Sequence, residues 1–537
     1  MPENTYKIFL TKHKFTGAVI LFTAIACLSV IFYTNKNIGA GNVAINTGIK
    51  ISHETTYIAS PLKANGLPDY NAYLNDKYGN NISFKESATF SLVSIFGLNS
   101  FYYSPKPEMV TAIHHALGVS EALPLKSSWV GLRNYKKSFA DMRAVKHNLD
   151  GRQTPYIDRE LKQWIKANDF SLDKALVASQ LPHFFLPWVP PSATYLRSFS
   201  GGEFSELILT LAYRALAQLQ YGDVDSCIEH LIALQRLGRL SMTEPNFLSW
   251  VDGAEAIKIS NAWLVRLANS NELSKKQRVK MSRLLNAMPA LPSLVKTLEV
   301  HSRMPALEGI LKGAASGDET VINSKSNHIY DYNVLLKMIN ANEDKIQEVF
   351  AIVDTQARFS AFPDLWISLD KERELLETGR KRWHERRQEI SNLKAGLREP
   401  PKEFALHKLK KQFPELQFND RETALKQIMT YAYLFSNASI PDARQWGKRE
   451  IDMFAGVQNT KVALALAQYR YDHGQYPEEL KFIDSAISTV DLLSHNELIY
   501  RPRASGFLLY SVGENRKDDG GEKEKDIILD VVFQDSL

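Results

Sequence analysis

A chain of 537 residues, of which 44% are hydrophobic and 23% charged, has the composition of a folded protein and not of a disordered one. Its formal net charge is only +5, and basic residues are interleaved with acidic ones, which argues against nucleic-acid binding. The only two cysteines, Cys27 and Cys227, exclude a disulfide framework. Burial of apolar side chains must therefore stabilise the fold, over a length that suits two or three domains.

An uncharged apolar segment runs from Phe15 to Tyr33. As an α-helix it would be about 28 Å long, close to the roughly 30 Å thickness of a membrane hydrocarbon core. Lys7, Lys12 and Lys14 precede it, whereas Lys36 alone follows closely, so the positive-inside rule keeps the N-terminus in the cytoplasm. The sequence therefore predicts a single-pass membrane protein with the bulk of the chain on the far side of the membrane.

Two alternatives involve processing of this segment. A cleaved signal peptide has a shorter apolar core, of about 7 to 15 residues, followed by a site with small residues. Ala24-Ile25-Ala26-Cys27 loosely resembles a bacterial lipobox, in which Cys27 would be acylated. The apolar run continues past Cys27, which favours an uncleaved anchor with Cys27 as a small apolar residue inside the membrane helix.

Helical patterns dominate the middle of the chain. Residues 36–84 are rich in Asn, Gly, Ser and Tyr and predict a stalk or loosely structured linker. Residues 85–440 predict a large, mainly α-helical domain, in which the aromatic, proline-rich segment at 181–196 is a connector whose aromatic side chains pack under a loop. Helices are predicted at about 247–268 and 274–287, the second opened by a capping box of Ser274 and Gln277. Further helices are predicted at about 293–313, 335–357, 367–395 and 420–436.

The clearest pattern is a helical hairpin at about 205–240. Its two apolar stripes are separated by Gly222-Asp223 and consist of Leu207, Leu211, Ala215 and Leu219, then Cys227, Leu231, Leu234 and Leu237. This segment is similar to a tetratricopeptide-type helix pair, although no second copy follows at a period of about 34 residues. The resemblance implies a helical-hairpin packing unit and no more.

No catalytic motif stands out, and the catalytic residues stay unknown. His114-His115 and Trp383-His384-Glu385 lack the spacing that brings two imidazoles onto one face of a helix around a metal ion. Neither a nucleophile elbow nor a phosphate-binding glycine loop occurs. Carboxylate pairs are abundant, but a glycoside hydrolase is defined by their separation in space, which the sequence does not give.

The C-terminal region, 445–537, predicts a small α+β module. A helix at about 446–471 closes with Tyr471, Asp472, Gly474, Tyr476 and Pro477, and strands are predicted at about 497–502, 506–512 and 526–533, with an Asp/Gly-rich loop before the last. Over residues 455–533 this order resembles the globular part of the major pseudopilins of type II secretion systems, and similar tails of bacterial membrane-anchored proteins. Residues 14–19 lack the pilin cleavage site and its glutamate, so fibre assembly is not expected.

The resemblance to calcium-binding pseudopilins implies a possible calcium ion in the Asp/Gly-rich loop. The acidic ligands would be Asp518, Asp519 and Asp526, with Ser511 and Val512 as further oxygen donors, since calcium takes six to eight oxygens. Three lysines, Lys517, Lys523 and Lys525, place positive charge in the same loop. The alternative is a glycine-rich turn whose aspartates accept hydrogen bonds from the backbone.

Together these patterns predict a mainly α protein with a cytoplasmic tip and transmembrane anchor at 1–35, a helical domain and a pseudopilin-like module. We expect it in a bacterial inner membrane, with most of the chain in the periplasm. We expect the protein to act as a non-enzymatic interaction or scaffold protein whose partner is another envelope protein. The alternatives are an envelope hydrolase with acid/base carboxylates and an accessory factor of a secretion or pilus system.

Overall fold

A computed structural model describes residues 51–294 and 443–532 with gaps, of which 83–86, 136–144 and 190–201 are the longest, and in addition Thr297, Val300 and Met304. These residues form a mainly α-helical structure with a small C-terminal antiparallel sheet of three strands, which confirms the predicted class at that level. The predicted anchor and the helices predicted within 305–442 lie outside the described residues. None of the helices that are described combines the length and apolar character that a membrane crossing requires.

The first part of the fold is built from short helices. A single helical turn at His53–Thr56 is followed by α1 (Tyr70–Gly79), α2 (Thr89–Phe96), α3 (Pro107–Leu117), α4 (Arg159–Ala167) and α5 (Asp169–Ser179). Local sequence explains their ends: Pro107 opens α3, Gly118 closes it with φ of 63°, and Asp158 caps α4 by accepting a hydrogen bond of 2.8 Å from the Leu161 amide.

Helix α1 lies within the segment that the sequence predicts as a loosely structured stalk. Its Tyr70 and Leu74 are buried in a small apolar cluster with Trp188. The Asn75 side chain donates to the Trp188 carbonyl and accepts from the Trp188 amide, both at 2.7 Å. Phe184 is buried as well, so these aromatic side chains of the connector pack into cores, as predicted. Trp188, which packs against α1, is more than a hundred residues away in the sequence. The local sequence pattern therefore does not reveal that α1 forms a helix.

The longer helices form the centre of the molecule. They are α6 (Glu203–Gln220), α7 (Val224–Thr243), α8 (Phe247–Ala268), α9 (Lys275–Asn286) and α10 (Ala443–His473). Helices α6 and α7 are the predicted hairpin, joined through Gly222 with φ of 80°. Cys227 is a buried free thiol in this hairpin, and burial raises its pKa to about 12. The predicted capping box of Ser274 and Gln277 is present at the start of α9.

Helices α7 and α8 cross with their backbones in contact at two glycines. A Cβ atom on Gly253 would lie 2.4 Å from the Gly238 carbonyl oxygen, and one on Gly238 would lie 2.7 Å from the Gly253 carbonyl oxygen. A methyl group in place of a glycine hydrogen would clash with the backbone of the other helix at either position. The crossing brings the apolar faces of α7 and α8 together, and Ile257 packs beside it.

A polar network lies buried next to that crossing. The Gln235 side chain donates to the Asn261 side-chain oxygen at 2.6 Å. Arg239 donates to the Pro289 carbonyl at 3.1 Å and to the Gln235 carbonyl at 3.2 Å, and it is only 4% exposed. Its hydrogen-bond acceptors are neutral oxygens, and burial lowers the pKa of its guanidinium to about 10. At neutral pH the helical core therefore carries a buried positive charge.

The C-terminal sheet packs on α10. Its strands β1 (Ile499–Arg503), β2 (Gly506–Ser511) and β3 (Ile527–Val532) pair in sequence order, with Leu509 of the central strand opposite Tyr500 and Leu529. These elements lie close to the predicted strands. Phe507 and Leu509 are buried in the same apolar core as α6 to α9, so the helices and the C-terminal module share one core through α10.

A buried aspartate organises the loop before β1. Asp491 is 1% exposed and accepts hydrogen bonds from the Leu493 amide, the Ser494 hydroxyl, the Ser511 hydroxyl and the Val512 amide, at 2.6 to 3.1 Å. The first two bonds shape the loop and the last two join it to the end of β2. One carboxylate therefore fixes the loop to the sheet.

Candidate binding cleft

A cleft of about 410 Å³ lies where the helices meet the C-terminal module. Helix α9 forms one wall, the second half of α10 forms the floor, and the segment 482–487 forms the other wall. After α10 the chain turns at Gly474, with φ of 79°, and returns along the helix through a 3₁₀ turn at Leu480–Phe482. The cleft therefore results from the docking of α10 on α9, together with the reversal of the chain after α10.

Apolar side chains form part of the lining. Leu464 on α10 and Ile483 are buried, whereas Val279 on α9 and Phe482 are 52% and 50% exposed. Both are large apolar side chains with about half of their surface in water at the cleft. Neither Val279 nor Phe482 stands out in the sequence.

The acidic side chains of the cleft already have partners. Asp472 accepts hydrogen bonds of 2.7 Å from Lys275 and from Gln468, which hold the pKa of its carboxyl below the usual range. Asp484 accepts a hydrogen bond of 3.0 Å from the Ala486 amide. His473 stacks on Tyr469, with ring centroids 4.0 Å apart. A carboxyl with a depressed pKa is a poor general acid, so this geometry does not favour acid/base catalysis at Asp472.

Two basic side chains of the cleft differ from these acids. Among the described residues, neither Arg283 on α9 nor Lys461 on α10 forms an ion pair. Burial lowers the pKa of Lys461, and the nearby charge of Arg239 lowers it further. Within the part of the chain that the structure describes, the cleft therefore offers two cations that form no ion pair.

The predicted calcium ligands lie at the sheet, remote in sequence from the cleft. Asp518 accepts hydrogen bonds from the Tyr510 hydroxyl at 2.7 Å and the Gly520 amide at 2.8 Å, which lower its pKa. Asp526 is 5% exposed and accepts hydrogen bonds from the amides of Gly521 and Glu522 through one oxygen, while its other oxygen has no hydrogen-bond partner among the described residues. Asp519 lies 3.6 Å from the Lys525 ammonium.

The described part of the loop follows the turn alternative more closely than a calcium cage. Asp518 and Asp526 accept from backbone amides, as in turns stabilised by aspartate. In the residues that the structure describes, no group of three His, Cys, Asp or Glu side chains could hold a metal ion. Asp518 and Asp526 thus accept hydrogen bonds from the protein and Asp519 lies beside Lys525, and calcium binding stays a prediction.

Thermal unfolding tests for calcium. Because Asp518 and Asp526 are engaged by hydrogen-bond donors, we expect the melting temperature to be the same, within about 1 °C, in calcium and in chelator. The full-length chain in detergent is the sample, since α10 shares its core with the other helices. A higher melting temperature in calcium, lost in Asp526→Asn, would instead establish a bound ion.

Another pair of carboxylates lies at the start of α6. Glu206 accepts hydrogen bonds of 3.0 Å from the Trp129 indole and from the Leu132 amide. Burial raises the pKa of Glu203, while hydrogen bonds from Ser100 and Ser127 lower it. A carboxyl with a raised pKa next to a second carboxyl is a feature of acid/base sites. Here the bonds of Glu206 hold the segment 129–132 on α6.

The histidines singled out in the sequence do not form a site among the described residues. His114 accepts a hydrogen bond of 3.4 Å from the Leu123 amide at the end of α3, and neighbouring His115 is exposed. Residues 383–385 lie outside the described part of the chain. Comparison of the chain with protein-family models, with curated proteins and with solved structures gave no match.

Proposed function

We propose that this protein is a non-enzymatic, membrane-tethered protein of the bacterial envelope that binds another envelope protein at the cleft between α9, α10 and residues 482–487. The observation that carries the proposal is the composition of the cleft. Half-exposed Phe482 and Val279 line the same cleft as Arg283 and Lys461, which form no ion pair among the described residues. A surface of this kind gains stability when another surface covers it.

The tether and the periplasmic location rest on the uncharged segment Phe15–Tyr33 and the lysines before it. An anchor at the N-terminus leaves the helices and the sheet on the same side of the membrane. A partner at the cleft would then be a periplasmic protein or the periplasmic part of a membrane protein.

The first alternative function is that of an envelope hydrolase. The pair Glu203 and Glu206 favours it, because burial raises the pKa of one carboxyl beside a second. Against it, both hydrogen bonds to Glu206 come from groups of the protein that position the chain. An accessory role in a secretion or pilus system rests on the pseudopilin resemblance alone.

Site-specific photocrosslinking tests the proposal. A photoreactive phenylalanine analogue at position 482, in the membranes of the native host, is expected to give a discrete adduct with one other protein. The matched control carries the analogue at Tyr156, which is 83% exposed and does not line the cleft. An adduct at 482 and none at 156 supports the proposal.

Two results would contradict it. Absence of an adduct at position 482 would remove the cleft as a binding surface. Equal adducts at 482 and 156 would show random collision with neighbours. In either case the hydrolase alternative becomes the leading hypothesis, and Glu203 is the side chain to vary first.

A further inference from the structure

The charges of the cleft are unbalanced in one direction. Asp472 is neutralised by Lys275 at 2.7 Å, whereas the partner of Asp484 is the neutral Ala486 amide, so one carboxylate stands against two cations. Arg283 and Lys461 line the same cleft and form no ion pair among the described residues. An incoming anion would meet two cations without displacing an existing ion pair.

A third cation near Lys461 adds to this positive potential. Arg239, on α7, lies close enough to Lys461 to lower its pKa, and its own guanidinium is bound only by neutral oxygens. Two cations repel each other in a partly buried setting, where the interaction is weakly screened. An anion placed at Lys461 would relieve this repulsion, and the pKa of Lys461 would rise.

The apolar side chains that line the cleft indicate the size and chemistry of the ligand. Ile483 and Leu464 lie inside the cleft, while Phe482 and Val279 extend the apolar surface to its rim. A small free carboxylic acid could bind the two cations, but the apolar side chains at the rim of the cleft would stay exposed to water. A polypeptide segment can place a carboxylate inside and cover the rim with neighbouring apolar side chains, since its side chains are a few ångströms apart.

We infer that the cleft recognises a segment of the partner protein in which an aspartate or glutamate is flanked by apolar residues, with the carboxylate bound by Lys461 and Arg283. This inference rests on the proposed function and specifies the chemistry of the partner. The apolar side chains of the segment cover Phe482 and Val279. A charge-assisted hydrogen bond of this type is stronger than one between neutral groups.

Selection from a random peptide library tests the inference. Phage displaying heptapeptides are panned on the purified full-length chain in detergent, and we expect enrichment of peptides with an acidic residue beside apolar ones. Lys461→Glu with Arg283→Glu should select basic peptides instead. The control is Lys276→Glu, which makes the same change on an exposed side chain of α9 outside the cleft and should select the same peptides as the original chain.

Binding of the best acidic peptide, measured by fluorescence anisotropy, gives the size of the effect. The double Glu variant should bind it at least about tenfold more weakly, as expected for loss of a hydrogen bond to a charged group. The neutral pair Lys461→Gln with Arg283→Gln should weaken binding too, and it serves if the charge reversal perturbs folding. Free acetate and succinate are added as competitors, and we expect neither to displace the peptide at millimolar concentration.

The inference is overturned if no peptide is enriched, if the enriched peptides lack acidic residues, or if the variants select the same peptides as the original chain. Displacement by succinate alone would identify a small-acid site in place of a peptide site. Enrichment of a sequence found in this chain would point to a second copy as occupant, against the inference of a separate partner. The adduct at position 482 is an independent result, so these outcomes do not decide whether the cleft binds a protein.

Discussion

Gly253→Ala is expected to destabilise the folded chain by about 3 kcal/mol. The new methyl group would lie 2.4 Å from the Gly238 carbonyl oxygen and 2.5 Å from Cγ of Met242. The Met242 side chain can move, but the carbonyl belongs to the backbone of α7, so α7 and α8 must separate at the centre of the core. Urea unfolding followed by circular dichroism measures the loss.

Gly456→Ala is the matched control for this prediction. Gly456 is also a glycine within a helix, but a Cβ there would have only the Asn261 amide nitrogen nearby, at 3.8 Å, an ordinary contact. Because alanine favours a helix over glycine, we expect this variant to be unchanged or more stable by about 0.5 to 1 kcal/mol. Equal stability of the Gly253 and Gly456 variants would show that α7 and α8 do not touch through their backbones.

Asp491→Ala is the second substitution expected to have a large effect, a loss of about 3 kcal/mol or more. It leaves the buried Val512 amide without its acceptor, leaves the Ser511 hydroxyl only the Val512 carbonyl as acceptor, and frees the loop residues Leu493 and Ser494. Each donor that loses a charged acceptor without access to water costs free energy of unfolding. The same urea experiment measures it.

Asp530→Ala is the control for Asp491. Asp530 lies on β3 and pairs with Arg503 at 2.7 Å, with about half of each side chain exposed. Since exposed ion pairs contribute little, its removal should change the stability by no more than about 0.5 kcal/mol. If both aspartate variants unfold at the same urea concentration, the hydrogen bonds of Asp491 do not hold the loop on the sheet.

Much of the helical core follows from local signals in the sequence. Helix α8 was predicted at 247–268 and spans Phe247–Ala268, and the apolar positions Trp250, Ile257 and Trp263 are buried. Helix α9 begins directly after its predicted capping box. Caps and a repeating apolar stripe act over a few residues, so a single sequence displays them. The strands of the C-terminal module were predicted for the same reason, from apolar runs between turn residues.

The cleft was not predictable, because its parts are distant in the sequence. Arg283 and Lys461 are separated by 178 positions, and nothing near either residue indicates that α9 and α10 meet. That neither cation forms an ion pair with another described residue is likewise visible only in the folded chain. For Phe482, the signal available was an apolar pair, Phe482-Ile483, soon after Tyr476-Pro477, which is equally consistent with a buried turn.

The calcium prediction depended on the resemblance of one loop to that of calcium-binding pseudopilins. Whether such a loop binds an ion depends on the directions in which its carboxylates point as well as on their presence. Asp518 is held by Tyr510, and Asp526 by the amides of the turn that it stabilises. Sequence order brought three aspartates into one loop, but it could not show which donors each would meet. The pseudopilin resemblance itself remains a prediction about 455–533.

Helix α10 belongs to two structures at once. One side of it completes the apolar core of α6 to α9, and the sheet lies on it as well. Transfer of the C-terminal segment to another protein would therefore expose part of the apolar core of the remaining helices. Neither portion would be able to fold independently after recombination. Related proteins with this architecture should therefore carry both portions in one gene. A ligand bound where the two portions meet would contact both of them.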